Sequence, residues 1–241
     1  MAEIRGEVKQ QYVASLFSRI ADRYDLMNDL MTLGLHRNWK ARTVRLAAQG
    51  LSGKGLDVAG GTGDLGIALA RRAGIEHAVV LDLLPGMIAK ARSKAGAAGL
   101  PENVTCLLGD ALDLPFADDT FACCTAGFSL RNMPGPGGVQ IALAEMVRVV
   151  RPGGRVAVLE LTPMAKGGLS GILRWYFHHV VPLIGSVVAG DRAAYTYLPQ
   201  SVDQFVEAVA LAGMLEDAGL ALVGYKIMGF GAVAVHWGNK P

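Results

Sequence analysis

Cysteine is scarce in this chain, and so is charge. Three cysteines stand among 241 residues, at positions 106, 123 and 124. They lack metal-ligand spacing and are too few for a disulfide framework, so no metal centre is expected. Cys106, Cys123 and Cys124 read as buried free thiols in strands, as suits the cytoplasm. Long apolar runs are missing too. No stretch of about 20 uninterrupted apolar residues occurs, which predicts no membrane-spanning helix. The nearest candidate, "AGLALVGYKIMGFGAVAV", is broken by Lys226 and several glycines and reads as two strands. The opening "MAEIRGEVKQQ" is charged where a signal peptide needs an apolar stretch. Neither sign of charge dominates: 23 Lys and Arg face 21 Asp and Glu, for a net charge of +2. The basic residues are scattered, so no phosphate-tracking stripe forms and nucleic acid is not an expected partner.

What is present is apolar residue in regular patterns. Hydrophobic residues make up 51% of the chain and charged ones 18%, enough for one large domain with a sizeable core. In "VKQQYVASLFSRIADRYD" the residues Val8, Tyr12, Leu16 and Ile20 recur every fourth position, flanked by Val13, Phe17 and Tyr24. That spacing predicts a helix with one apolar face. Short apolar runs follow: "GLDVA", "HAVVLD", "NVTCLL", "FACCTA" and "RVAVLEL". Helical stretches such as "PGMIAKARSKAGAAG" and "VQIALAEMVRVV" separate them. Alternation of this kind predicts a parallel sheet covered on both faces. The end differs: after the helical "FVEAVALAGMLEDAG" come "LALVGYKI" and "GAVAVHW", joined by a short glycine-containing connection. Two strands so close in sequence predict an antiparallel hairpin. The resulting expectation is an α/β fold with a seven-stranded, Rossmann-like sheet, a C-terminal antiparallel hairpin and an N-terminal helical cover. This is the shape of the class I methyltransferases.

The stretch "DVAGGTGDLG", Asp57 to Gly66, holds a complete G-x-G-x-x-G at Gly61, Gly63 and Gly66. It follows a predicted strand and opens a predicted helix, so its backbone amides are expected to face a ligand's negative group. Pyrophosphate and the carboxylate of S-adenosylmethionine both qualify. Asp57 before the loop and Asp64 after it would repel pyrophosphate and attract an ammonium and a sulfonium. Asp64 reads equally well as a helix cap. Asp82 ends the next strand and suits the two ribose hydroxyls of either cofactor. Asp110 and Ala111 come directly after the third strand, where a carboxylate and a following amide suit the edge of adenine. A nicotinamide enzyme has no regular use for an acid there. The set favours S-adenosylmethionine.

Four further stretches carry a resemblance. "YDLMNDLMTLGLHRNW", "FSLRNM", "RVVRPGGRVAVLELT" and "GSVVAGDRAAYTYLPQSV" together resemble the quinone-biosynthesis C-methyltransferases over nearly the whole chain. That family methylates demethylmenaquinol or the corresponding polyprenyl benzoquinol. Thr32, Arg151 and Thr162 are mild departures from it, "DQF" after "YLPQSV" is another, and Gly127 stands where the family often has a cofactor-contacting serine. The resemblance implies a single methyltransferase domain over 1–241, with a helical cover over 1–50 and a substrate-side lid over 165–200. It implies S-adenosylmethionine as cofactor, with Thr62, Asp82, Asp110 and Ala111 as contacts beside Asp57, Gly61 and Gly63. A lipophilic quinol is the implied substrate, reached from the inner face of the membrane by transient contact; a homodimer stays open.

Ring C-methylation needs an electron-rich carbon, which a quinol gains when the hydroxyl beside it loses its proton. Arg131 is expected to stabilise the quinolate, since a guanidinium stays protonated and is no free base; pairing with an acid on the rim is the alternative. Asn132 is expected either to orient a quinol oxygen or to cap a turn. For the proton acceptor, His178, His179, Asp191, Tyr195 and Tyr197 remain open. His36 and Trp39 belong to the cover motif, and a lone histidine on a helix reads as structural. In "GILRWYFHHVVPLIGSVV" the residues Ile172, Leu173, Tyr176, Phe177, Val180 and Val181 share one face, either against the core or as a groove for a polyprenyl tail. Another small hydrophobic or phenolic acceptor is the alternative substrate. A binding scaffold without turnover and a nicotinamide oxidoreductase are the readings from other classes.

Overall fold

The computed structural model describes residues 7–164 and 167–241, with the side chains of Glu7, Val8 and Gln10 outside the description. The opening hexapeptide and two residues of the expected lid therefore lie outside it, as does the side chain of Val8.

Seven strands form one sheet: β1 Gly53–Val58, β2 Ile75–Asp82, β3 Val104–Leu108, β4 Phe121–Gly127, β5 Val150–Leu161, β6 Ala221–Met228 and β7 Val233–Asn239. Their spatial order is β3-β2-β1-β4-β5-β7-β6. β1 to β5 run parallel, and β7 is antiparallel to both β5 and β6. The five parallel strands read as near-continuous apolar runs because helices cover both of their faces. Cys123 and Cys124 alternate faces of β4 and are both fully buried. The expected terminal hairpin is present, turning through Gly229–Gly231.

The helices are α1 Glu7–Ile20, α2 Tyr24–Thr32, α3 Leu35–Ala48, α4 Asp64–Ala70, α5 Pro85–Ala97, α6 Gly138–Val149, α7 Gly168–Trp175, α8 Val181–Ile184, α9 Arg192–Asp203 and α10 Ala208–Asp217. The amphipathic N-terminal stretch is not one helix. A 3₁₀ turn, Ala21–Arg23, tightens the chain between α1 and α2. That break delivers Asp25 to the glycine loop, where its Oδ1 accepts from the Thr62 hydroxyl at 2.7 Å. Two π segments, Tyr176–Val180 and Gly185–Ala189, make α7 and α8 parts of a single 22-residue helix, Gly168–Ala189. By length and composition this helix, and not the glycine-broken candidate, is apolar enough to cross a membrane. Gly185 sits where it crosses α9: a Cβ there would lie 2.3 Å from the Tyr195 ring.

The strand order reverses between β1 and β4, since the chain winds outward to β3 on one side and to β5 on the other. Open α/β sheets bind ligands at the carboxyl ends of the strands flanking such a switch. The glycine loop leaves β1 there, and the Phe128–Asn132 segment leaves β4.

Candidate active site

Two adjoining hollows open at that switch point. A groove of about 130 Å³ is lined by Gly61, Asp82, Asp110, Ala111, Ser129 and Asn132, with Leu83, Met87 and Met133 as apolar walls. A cavity of about 420 Å³ lies beside it, between the N-terminal helices and the Gly168–Ala189 helix. Its walls are almost wholly apolar; Arg131, His36, Asn28, Thr32 and the hydroxyls of Tyr24, Tyr176, Tyr195 and Tyr197 are the polar exceptions. Phe17, Tyr24 and Phe128 line both hollows and so mark where they meet.

Asp82 holds the groove open. Its Oδ2 accepts from the Gly61 amide at 2.8 Å and its Oδ1 from the Leu84 amide at 2.9 Å. Each oxygen keeps a second lone pair for a ribose hydroxyl. Burial pushes this carboxyl above its ordinary range, against the pull of those amides. Asp110 accepts from the Leu112 amide at 2.9 Å, which fixes it at the groove wall beside Ala111. Ser129 Oγ is buried in the same groove without a hydrogen-bond partner. An orphaned hydroxyl is costly in a folded protein, and a polar ligand in the groove satisfies it. Ser129 offers what Gly127 lacks: a Cβ at Gly127 would already lie 2.7 Å from Leu65 Cδ1.

Three of the expected cofactor contacts lie outside the groove lining. Asp57 is fully buried beneath the loop, and Gly66 N–H and Thr125 Oγ–H both donate to it at 2.9 Å. Asp57 and Thr125 are register partners on neighbouring parallel strands, so their side chains point the same way. Burial pushes the Asp57 carboxyl up to about 7. It anchors the loop and does not line the groove. Thr62 is buried as well, and its hydroxyl donates to Asp25 instead of a ligand. Gly63 caps α4 and lies outside the groove lining.

Asp64 is bound by Lys40 at 2.6 Å and Lys94 at 2.5 Å, and these cations hold its carboxyl down to about 2. Lys94 also reaches Asp25 at 2.8 Å, so this cluster ties the N-terminal cover to the glycine loop. The amides of Gly61, Gly63 and Gly66 donate to Asp82, the Gly60 carbonyl and Asp57. The loop is thus not an open cradle for pyrophosphate. The carboxylates that face the groove are Asp82 and Asp110.

Arg131 and Asn132 occupy a single 3₁₀ turn after β4, one facing each hollow. Arg131 is not a free cation at a rim. Its Nη1 lies 2.7 Å from Glu160 Oε1, and both side chains are buried. Nε donates to Ser201 Oγ at 3.3 Å, and Nη1 also donates to the Phe128 carbonyl. Phe128 has φ +58°, the left-handed region that an aromatic side chain rarely adopts. Such strain costs about 1–3 kcal/mol and persists where neighbours over-determine it. Here Arg131 holds the Phe128 carbonyl while its amide donates to Leu159 O at 2.7 Å. Asn132 Oδ1 accepts from the Tyr197 hydroxyl at 3.3 Å, which links groove to cavity.

Of the five open proton acceptors, two line the cavity. His178 pairs with Asp203 at 3.1 Å, and His179 stacks on Trp175; neither lines the cavity. Asp191 caps α9 and bonds Arg19 at 2.7 Å. Tyr195 and Tyr197 line the cavity, but burial raises both hydroxyls above their ordinary range, away from a base's role.

Comparison with known proteins decides the family. The ubiE/COQ5 methyltransferase family model matches residues 5–240. The chain belongs to this family. Among relatives, a demethylmenaquinone methyltransferase of Thermus thermophilus is 42% identical over 94% of this chain and 100% of its own length. A ubiquinone/menaquinone biosynthesis C-methyltransferase of Dinoroseobacter shibae is 40% identical over 98% and 94% respectively. A SAM-dependent methyltransferase structure from Thermotoga maritima superposes with a TM-score of 0.65 at 17% identity, covering 95% of this chain and all of the other. The [4+2]-cyclase SpnF superposes at 0.63 and 19% identity, over 85% and 80%. Fold alone therefore spans different chemistries here. Family membership makes the chain an S-adenosylmethionine-dependent methyltransferase, and the groove suits that cofactor through Asp82 and the unpartnered Ser129 hydroxyl.

Proposed function

We propose that the protein methylates a ring carbon of a demethylated polyprenyl quinol, with demethylmenaquinol as the substrate and menaquinol as the product. The observation that carries this reading is the 420 Å³ apolar cavity set directly against the cofactor groove. A cavity of this size takes a two-ring aromatic with the start of its tail. S-adenosylmethionine supplies the electrophilic methyl group when bound. Asp82 takes the ribose hydroxyls, Asp110 and the Ala111 amide the adenine edge, and Ser129 a further polar group. The buried Arg131–Glu160 pair is a positioning device: it holds Phe128, which stands where the hollows meet. Arg131's charge is already offset by Glu160, so it lends the quinolate a directed hydrogen bond and no net cation. Cover by α1 to α3 and by the helices between Gly168 and Asp203 keeps water out, which favours a reaction that merges opposite charges. Near-attack positioning supplies up to about 7–11 kcal/mol.

Tail entry favours membrane contact. Leu33 and Phe230 line the cavity and are 87% and 67% exposed. Ile172 and Trp175 on α7 are 66% and 59% exposed. An apolar rim of this kind suits transient docking on a bilayer surface.

Labelled S-adenosylmethionine is the assay. We expect transfer to demethylmenaquinol in detergent, and slower transfer to a demethylated benzoquinol, which fills less of the cavity. Cofactor binding without transfer to either ring contradicts the reading and moves the search to other phenolic acceptors.

A further inference from the structure

We infer that His36, read from sequence as structural, is the general base that takes the proton from the acceptor's ring hydroxyl, with Asp29 as its positioning residue. This rests on the quinol reading above. His36 lies on α3, is 5% exposed, and is the only histidine among the residues lining the cavity. The other titratable lining groups are Arg131 and four tyrosines. At neutral pH those are donors, because guanidinium and phenol both hold their protons. Imidazole alone offers an unprotonated lone pair.

The geometry assigns the tautomer. His36 Nε2 lies 2.8 Å from Asp29 Oδ1, and a carboxylate only accepts, so Nε2 carries the hydrogen. Nδ1 is left with the lone pair, buried and without any hydrogen-bond partner. A buried acceptor with no donor is costly, and a hydroxyl brought by a cavity ligand satisfies it. Asp29 is itself held by Arg37 Nη2 at 2.6 Å, and its carboxyl lies below its ordinary range, so it stays ionised opposite the imidazole. Asp29 thus orients the ring of a histidine that lines the reacting cavity. Burial keeps His36 neutral near pH 7: desolvation lowers its pKa, as does Lys40 on the same helix, against Asp29 from α2 and Asp64 from α4.

The step balances as follows. The hydroxyl beside the target carbon gives its proton to Nδ1, and the electron pair passes through the ring to that carbon. The carbon forms its bond to the methyl group while the methyl–sulfur pair stays on sulfur. The methylated carbon then releases its hydrogen to solvent as a proton, and the oxygen regains a proton from imidazolium. One proton is released per turnover.

His36→Asn and Asp29→Asn test this, with the wild type under reducing conditions on demethylmenaquinol. Wild-type kcat should rise with pH along a limb whose midpoint lies below 6.5. His36→Asn should lose about 100-fold in kcat at pH 7. Its limb should move up toward the substrate's own phenolic ionisation, near pH 10 by analogy with tyrosine. S-adenosylmethionine affinity should hold. Asp29→Asn should move the limb to lower pH at reduced kcat, because Asp29 raises the His36 pKa. A second readout needs no turnover: 1-naphthol added to the wild type should shift the His36 Nδ1 nitrogen resonance, and this carries the test should the variants misfold. A His36→Asn enzyme with near wild-type kcat and an unchanged limb overturns the proposal. So does an Nδ1 resonance indifferent to naphthol. Lack of transfer by the wild type, with the naphthol shift present, instead refutes the quinol reading and leaves the His36 site standing.

Discussion

At the scale of single residues, burial decides what each charge does. Arg131→Ala leaves Glu160, 1% exposed, as a lone buried carboxylate. That should cost about 3–5 kcal/mol, while Arg131→Met with Glu160→Met together should come within about 1–2 kcal/mol of the wild type. Urea unfolding of the singles and the double reads the difference. Activity lost by Arg131→Ala alone therefore mixes folding with catalysis. Asp57 makes a prediction of opposite form. Its folded carboxyl titrates at about 7 against 3.8 as the ordinary value. The folded state then binds the extra proton between those values, so this group's stability is full below pH 4 and is lost as pH rises through 7. Asp57→Asn removes that dependence, and its stability relative to the wild type should improve steadily from pH 4 to pH 7. A flat difference contradicts the assignment.

At the scale of elements, the glycine loop and the long helix carry the testable content. A Cβ at Gly66 would lie 2.3 Å from Val80 Cγ2, on a fully buried strand residue. Gly66→Ala should cost about 1–3 kcal/mol in stability. It should also weaken S-adenosylmethionine binding, because the same turn sets the Gly61 amide against Asp82; calorimetry checks both. For the Gly168–Ala189 helix, replacing Ile172 and Trp175 with serine should lower vesicle binding several-fold and raise KM for a long-chain quinol. Turnover of a short-chain analogue should change little. Equal effects on both substrates would place these residues in packing and not at a membrane. These elements also show what a sequence carries. The parallel strands were legible because burial on both faces writes them as apolar runs, and the strand-end positions of Asp82 and Asp110 were legible in the same way, both lining the groove. Arg131's partner was not, since Glu160 lies 29 residues away inside an apolar strand, where nothing local marks it as paired. The 3₁₀ break at Ala21–Arg23 was equally silent, because the fourfold apolar spacing runs straight through it. The His36–Asp29 bond was silent too, because it depends on how α2 turns into α3 through Leu33 and Gly34, both left-handed.

At the scale of the whole molecule, a doubly wound sheet places one groove and one cavity side by side at its switch point, and α1 to α3 with the helices between Gly168 and Asp203 roof the larger. What fills that roofed space decides the chemistry. The most direct measurement is the structure of the product after incubation with methyl-labelled S-adenosylmethionine and reduced demethylmenaquinol. The label should appear on a ring carbon, with both hydroxyls retained and one ring hydrogen lost. Label on an oxygen, or no labelled quinol from an enzyme that binds its cofactor, would contradict the assignment.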